Sequence, residues 1–185
     1  MAPGACRVAV VRGGGAYYPK IIAEAIRASE FLGKEYYFTV IAGPSTTPEE
    51  WYFFSTLIAK KKVKNAALHK SVVDYEGLIR ESDICVATAS YHTAAMLLKY
   101  NKKAVIIPFE GYGKELPFQE QPARAVMLKE MIGASTLRIK DLTAVGLADL
   151  IKSVSHQRKK TVVTTEDWFT GQDYLDKALT GLSVR

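Results

Sequence analysis

Four residues in a row, Ser90-Tyr91-His92-Thr93, have the side chains to meet an anionic ligand. They follow an apolar run, Ile84 to Ala87, and a turn of small and hydroxylated residues, Thr88 to Ser90. A helix is expected from about Tyr91 to Lys99, and a second apolar strand from Ala104 to Ile107. Amides at a helix N-terminus have no intrahelical acceptor, and the helix dipole favours negative charge there. Hydroxyls beside them can donate to phosphate oxygens. The plainer reading of Ser90 is an N-cap. His92 is a possible proton donor or phosphate contact, but a lone histidine does not establish catalysis, and no catalytic residue is assigned.

Two more segments carry comparable chemistry. Gly13-Gly14-Gly15 follows the apolar run Arg7 to Val11 and precedes a helix. Glycine adopts positive φ and lets a phosphate or sugar approach the backbone. The dinucleotide fingerprint is not met, because Tyr18 stands where its third glycine would fall, and no Walker sequence follows. A plain tight turn remains the alternative. Further along, Pro108-Phe109-Glu110-Gly111-Tyr112-Gly113 leads to Phe118-Gln119-Glu120-Gln121. Glu and Gln side chains can make paired hydrogen bonds to vicinal hydroxyls, or can cap a helix.

These segments need a scaffold, and the hydrophobic pattern alternates strand and helix throughout. Pro19 suits the first turn of a helix that stops at Gly33. Tyr36 to Ala42 reads as a strand ending at Gly43-Pro44-Ser45. Thr47 and Pro48 open a helix that fades in Lys60-Lys61-Lys62-Val63-Lys64. Asn65 to Leu68 is a weaker strand and Tyr75 to Glu81 a short helix. Gln119 to Met131 and Thr143 to Val154 read as helices, Thr136 to Ile139 as a short strand, and 166–182 holds one more helix. The fold class is α/β: one Rossmann-like domain over 1–185, an open parallel sheet with helices on both faces. Ligands in such sheets sit beyond the carboxyl ends of the strands. Asp83, at the amino end of its strand, is therefore structural.

With 48% apolar and 24% charged residues, composition is ordinary for a globular chain. No apolar run reaches membrane-spanning length, and the start lacks a signal-peptide core, so a cytoplasmic location is expected. Cys6 and Cys85 read as free thiols, and the three histidines show no metal-ligand spacing. The net charge of +6 gathers in short clusters such as Arg158-Lys159-Lys160, which read as solvated helix ends. No nucleic-acid motif accompanies them, and no nucleic-acid partner is expected. Trp51-Tyr52-Phe53-Phe54 spans more than one helix face and is expected in the core.

Taken in order, these loops resemble the C-terminal, donor-binding domain of GT-B glycosyltransferases, family 28 above all. The motif Glu-Gln-x-x-Arg-Ala of a related branch of predicted glycosyltransferases is matched by Glu120-Gln121-Pro122-Ala123-Arg124-Ala125. Gly13 to Gly15 matches the family's first glycine loop, and Val40-Ile41-Ala42-Gly43 a strand ending in glycine. Val72-Val73-Asp74-Tyr75 matches the segment facing the nucleotide base. Ser82 to Thr93 matches the phosphate-turn pattern, and Asn101 to Pro108 loosely matches Gly-Lys-Pro-x-x-x-x-Pro. The likeness covers about 7–154. Two departures stand out: Ser90 replaces the usual glycine of the phosphate turn, and Met96 stands where many members place a ribose-binding glutamate.

The resemblance implies a nucleotide-diphosphate-sugar donor, UDP-linked by preference, with neither metal nor further cofactor. Donor contacts would come from Gly13, Gly14, Gly15, Gly43, Val72, Val73, Ser90, Tyr91, His92, Thr93, Glu110, Glu120 and Gln121. It further implies an acceptor-binding N-terminal domain or a separate subunit, as in the two-subunit transferase acting on lipid-linked oligosaccharide. The helix in 166–185 would pack toward that partner, through which the chain could associate peripherally with a membrane. Alone, the chain is expected to bind donor and transfer little. The alternatives are a non-catalytic module with a degenerate donor site, motivated by Ser90 and Met96, and an epimerase-like protein of the same fold.

Overall fold

A computed structural model describes residues 4–13, 18–61, 63–111 and 120–160. Six parallel strands form one sheet: β1 (Cys6–Val11), β2 (Tyr36–Ile41), β3 (Ala66–His69), β4 (Ile84–Ala87), β5 (Lys103–Ile106) and β6 (Ser135–Thr136). Their order is β3-β2-β1-β4-β5-β6. Between them run α1 (Pro19–Leu32), α2 (Pro48–Lys61), α3 (Tyr75–Glu81), α4 (Tyr91–Lys99) and α5 (Glu120–Ile132), and α6 (Ala144–His156) follows β6. This order reverses direction at β1, so β1 and β4 are adjacent although their connections leave to opposite sides. A crevice must open where those connections part.

Alternation along the strands sorts the core into two layers. Val8, Val10, Phe38, Val40, Ile84 and Val86 pack toward α1 and α6. Ala9, Val11, Ile41, Cys85 and Ala87 pack with α4 and α5 residues such as Leu97 and Leu128. Both faces of β4 and of Val8 to Val11 in β1 are buried, which is why these stretches are continuous apolar runs.

Several expected boundaries shift, each for a local reason. Asn65 lies just outside β3, where its Nδ2 reaches the carbonyls of Ser29, Gly33 and Tyr36 at 2.8, 2.6 and 3.2 Å. The edge strand β6 covers only Ser135–Thr136, because Ile139–Asp141 coils into a 3-10 turn. The aromatic run on α2 divides: Phe54 is fully buried, whereas Tyr52 and Phe53 are exposed, so the expectation of a wholly buried cluster does not hold. The helix expected within 166–182 lies outside the described residues.

The amino edge of the sheet carries much of the positive charge. Helix C-termini collect there with unpaired carbonyls, and lysines meet them. Lys102 Nζ donates to the carbonyls of Arg80 and Ser82 at the end of α3, at 2.5 and 2.7 Å. Lys103 Nζ reaches Ser155 O in the last turn of α6, and Lys160 Nζ reaches Glu130 O near the end of α5. These cations complement helix dipoles. Asp83 also sits on this edge, accepting from the Arg7 amide at 2.7 Å, which fits its structural reading. No helix among the described residues is long and apolar enough to cross a membrane.

Candidate functional site

A cleft of about 360 Å³ opens at the carboxyl edge, lined by residues that follow β1, β2, β3 and β4. Val11, Ile41, Val72 and Tyr75 give it an apolar wall; Gly13, Gly43, Ser71, Ser90, His92 and Thr93 bring backbone and polar groups. Six of the residues singled out from sequence are thus brought together: Gly13, Gly43, Val72, Ser90, His92 and Thr93. Gly14 and Gly15 lie outside the described residues.

The backbones at two glycines of this cleft leave little room for a side chain. Gly13 has φ +75°, and a Cβ there would stand 3.3 Å from Thr88 Oγ1 and 3.4 Å from Ser90 Oγ. Gly43 has φ +96°, and its Cβ would stand 3.3 Å from the Gly13 carbonyl. Glycine is required at both positions by conformation as well as by space.

Helix N-termini differ around the sheet. Thr47 caps α2 through the Glu50 amide at 3.2 Å. Asp74 caps α3 through the Gly77 amide at 2.6 Å, and Thr143 caps α6 through the Gly146 amide at 3.2 Å. By contrast, α1 and α4, the helices that follow β1 and β4, have no side-chain cap bond. Ser90 occupies the N-cap position of α4 without capping it; its hydroxyl donates to Thr93 Oγ1 at 2.8 Å. Thr93 is buried and also bonds Tyr75 Oη at 2.9 Å. The hydroxyl chain Ser90–Thr93–Tyr75 therefore runs along the cleft wall, with the buried Thr93 at its centre holding the two half-buried partners. Burial pushes the Tyr75 phenol above its ordinary pKa, so it stays a neutral hydrogen-bonding group. The exposed His92 ring lies against Tyr75, centroids 5.6 Å apart.

The remaining predicted residues stand away from the cleft lining. Val73 and Tyr91 are exposed. Glu110 pairs with Arg138 at 2.8 Å, and Glu120 lies 3.4 Å from Arg124. Gln121 is buried, its Oε1 accepting from the Phe109 amide at 3.0 Å. Arg124 donates from Nε to the Ala89 carbonyl at 2.7 Å. Two side chains of the Glu-Gln-x-x-Arg-Ala motif thus brace the loops after β5 and β4. Met96 is partly buried against the α4–α5 layer of the core and does not line the cleft.

Sequence reasoning missed Arg12. It is 1% exposed, yet it lines the cleft. Its Nε donates to the Ala42 carbonyl, and its Nη2 donates to Thr46 Oγ1 at 2.9 Å and Glu50 Oε2 at 2.8 Å. An arginine directly before the glycine turn was the available signal. Tyr18 was also missed. It precedes Pro19 at φ 48°, an uncommon conformation for a bulky residue. Its ring packs on Phe109 at 5.2 Å, and its hydroxyl accepts from the Glu110 amide at 3.1 Å. Among the described residues no group of three His, Cys, Asp or Glu side chains is placed to hold a metal ion.

Neither a family model nor a curated relative matches the chain. Solved structures do. MurG from Acinetobacter baumannii superposes with a TM-score of 0.63 at 17% identity, over 84% of this chain and 42% of that one. CalG4, the calicheamicin glycosyltransferase, gives 0.65 at 13% identity, over 84% and 36%. The solution structure of ALG13 gives 0.57 at 14% identity, over 89% and 92%. The chain therefore spans well under half of the first two and nearly all of the third. At these identities the likeness establishes the fold alone: a Rossmann-like open parallel sheet shared with these solved glycosyltransferase structures.

Proposed function

We propose, from the premise that the chain carries the fold of a GT-B C-terminal half, that it is the donor-binding part of a glycosyltransferase. It would bind a nucleotide-diphosphate sugar, UDP-linked by preference, in the cleft at the carboxyl edge. The carrying observation is the contrast in capping. Helices α2, α3 and α6 spend a side chain on their first-turn amides, while α1 and α4, at the point where the strand order reverses, do not. Uncapped amides beside a cleft suit a diphosphate, and in glycosyl transfer they would stabilise the charge that develops on the leaving nucleotide. The apolar wall of Val11, Ile41, Val72 and Tyr75 suits a nucleoside.

The acceptor and the general base would come from a partner domain or subunit, so the chain alone should bind donor without efficient transfer. Support comes from ALG13, a chain of comparable extent with this fold. Calorimetric titration with UDP, GDP and dTDP sugars tests the reading. Saturable binding of one donor, weakened by Thr93→Ala and Gln121→Ala through loss of the braced loops, is the expected result. Failure of every donor to bind a folded chain, with and without its partner, would overturn it.

Met96 favours a second reading, a binding or assembly module without a working donor site. An apolar side chain packed into the core offers no carboxylate to a ribose. Absence of donor binding in both the native chain and Met96→Glu would support that reading.

A further inference from the structure

Two buried side-chain atoms among the described residues have no hydrogen-bond partner, Arg12 Nη1 and Thr88 Oγ1. Both adjoin Gly13: Arg12 precedes it in the chain, and Thr88 Oγ1 lies 3.3 Å from its would-be Cβ. Native folds seldom retain such atoms without a ligand, ion or water to meet them. A guanidinium has five N–H donors. Nε and Nη2 commit three of them, to Ala42, Thr46 and Glu50. The two on Nη1 are left over.

We propose that Arg12 Nη1, assisted by Thr88 Oγ1, receives an oxyanion of the bound ligand, a phosphoryl group seated at the Gly13 turn. This rests on the reading of the cleft as a nucleotide-sugar site and names the residue that supplies its positive charge. Arg12 is the one lysine or arginine among the described residues lining the cleft. A planar guanidinium matches phosphate geometry, and the uncapped start of α4 favours the same charge from the other side. Nη1 is closed to solvent. Seating the anion therefore requires the groups that cover Nη1 to move aside. The Glu50 carboxylate, 2.8 Å from Nη2, both orients the guanidinium and offsets its charge. Ligand and Glu50 thus compete for one cation.

That competition gives the test its sign. The native chain, Glu50→Gln and Arg12→Lys are titrated with UDP, uridine and inorganic pyrophosphate, and each is checked for folding by a thermal melt. Glutamine keeps an acceptor for Nη2 while removing the charge. Glu50→Gln should bind UDP and pyrophosphate severalfold more tightly, with uridine unchanged. Arg12→Lys should bind UDP about tenfold more weakly, again with uridine unchanged. Should Arg12→Lys fail to fold, the Glu50→Gln comparison decides alone. Nucleotide binding that neither variant changes, or that changes equally for UDP and uridine, overturns the role of Arg12 and leaves the donor reading standing. Pyrophosphate binding strengthened in Glu50→Gln, without any nucleoside or nucleotide binding, sustains the anion site and overturns the donor reading. No binding of any probe to the native chain overturns both.

Discussion

Arg124 Nε donates to the Ala89 carbonyl at 2.7 Å, tying α5 to the turn between β4 and α4. The bond crosses from one loop system to another and shapes the turn that presents Ser90 and His92 to the cleft. Arg124→Ala should cost about 1–2 kcal/mol of stability. It should also weaken donor binding, although Arg124 does not line the cleft. Thermal melts and calorimetry on the same preparation check both effects; unchanged affinity would show that the turn holds its shape unaided.

Gly13 is one of two tight glycine constraints at the site, with Gly43. Alanine there must adopt φ +75° with its Cβ against Thr88 and Ser90. The conformation alone costs about 1–2 kcal/mol. Gly13→Ala should lower the melting temperature and abolish binding, whereas Gly33→Ala, with φ +62° but open space around its Cβ, should lower stability and leave binding intact.

The lysines of the opposite edge act on stability. Lys102→Met removes a cation from two helix-end carbonyls, and burial already holds the Lys102 ammonium below its ordinary pKa. A loss of about 1–3 kcal/mol is expected in denaturant unfolding, with ligand binding unchanged. A neutral result would mean that water replaces the ammonium at no cost.

Alkaline pH should destabilise the fold through its thiols. Burial pushes Cys85 from 9.0 up to about 11, and Cys6 rises to about 11 as well. Above pH 9 the unfolded chain releases these protons while the folded chain keeps them. Their contribution is complete below pH 9 and is lost as pH rises toward 11, on the order of 2 kcal/mol for fully buried Cys85. Urea unfolding of the native chain and Cys85→Ala at pH 8 and pH 10.5 reads this directly: the variant should lose less stability over the interval.

Much of the fold was legible because it is written in local pattern. The doubly buried stretches, Val8 to Val11 of β1 and all of β4, are unbroken apolar runs, and Pro19, Thr47 and Pro48 mark helix starts. What escaped depends on contacts between segments distant in sequence. Arg12 looks like a polar residue leaving a strand; only the return of Thr46 and Glu50 encloses it. Ser90 has the identity of a cap, yet its hydroxyl turns to Thr93. Gln121 reads as a ligand group until the Phe109 amide is found against it. Tyr52 and Phe53 share the apolar character of Phe54 but lie on the outward side of α2.

The most direct test of the account is a map of where a donor binds. Amide resonances of the ¹⁵N-labelled chain are followed during titration with UDP-, GDP- and dTDP-sugars. The account predicts saturable shifts for one donor at Gly13, Gly43, Val72 and Ser90 to Thr93, with the lysine edge around Lys102 and Lys103 unmoved. Saturable shifts centred on that opposite edge, or none for any donor at millimolar concentration, would contradict it.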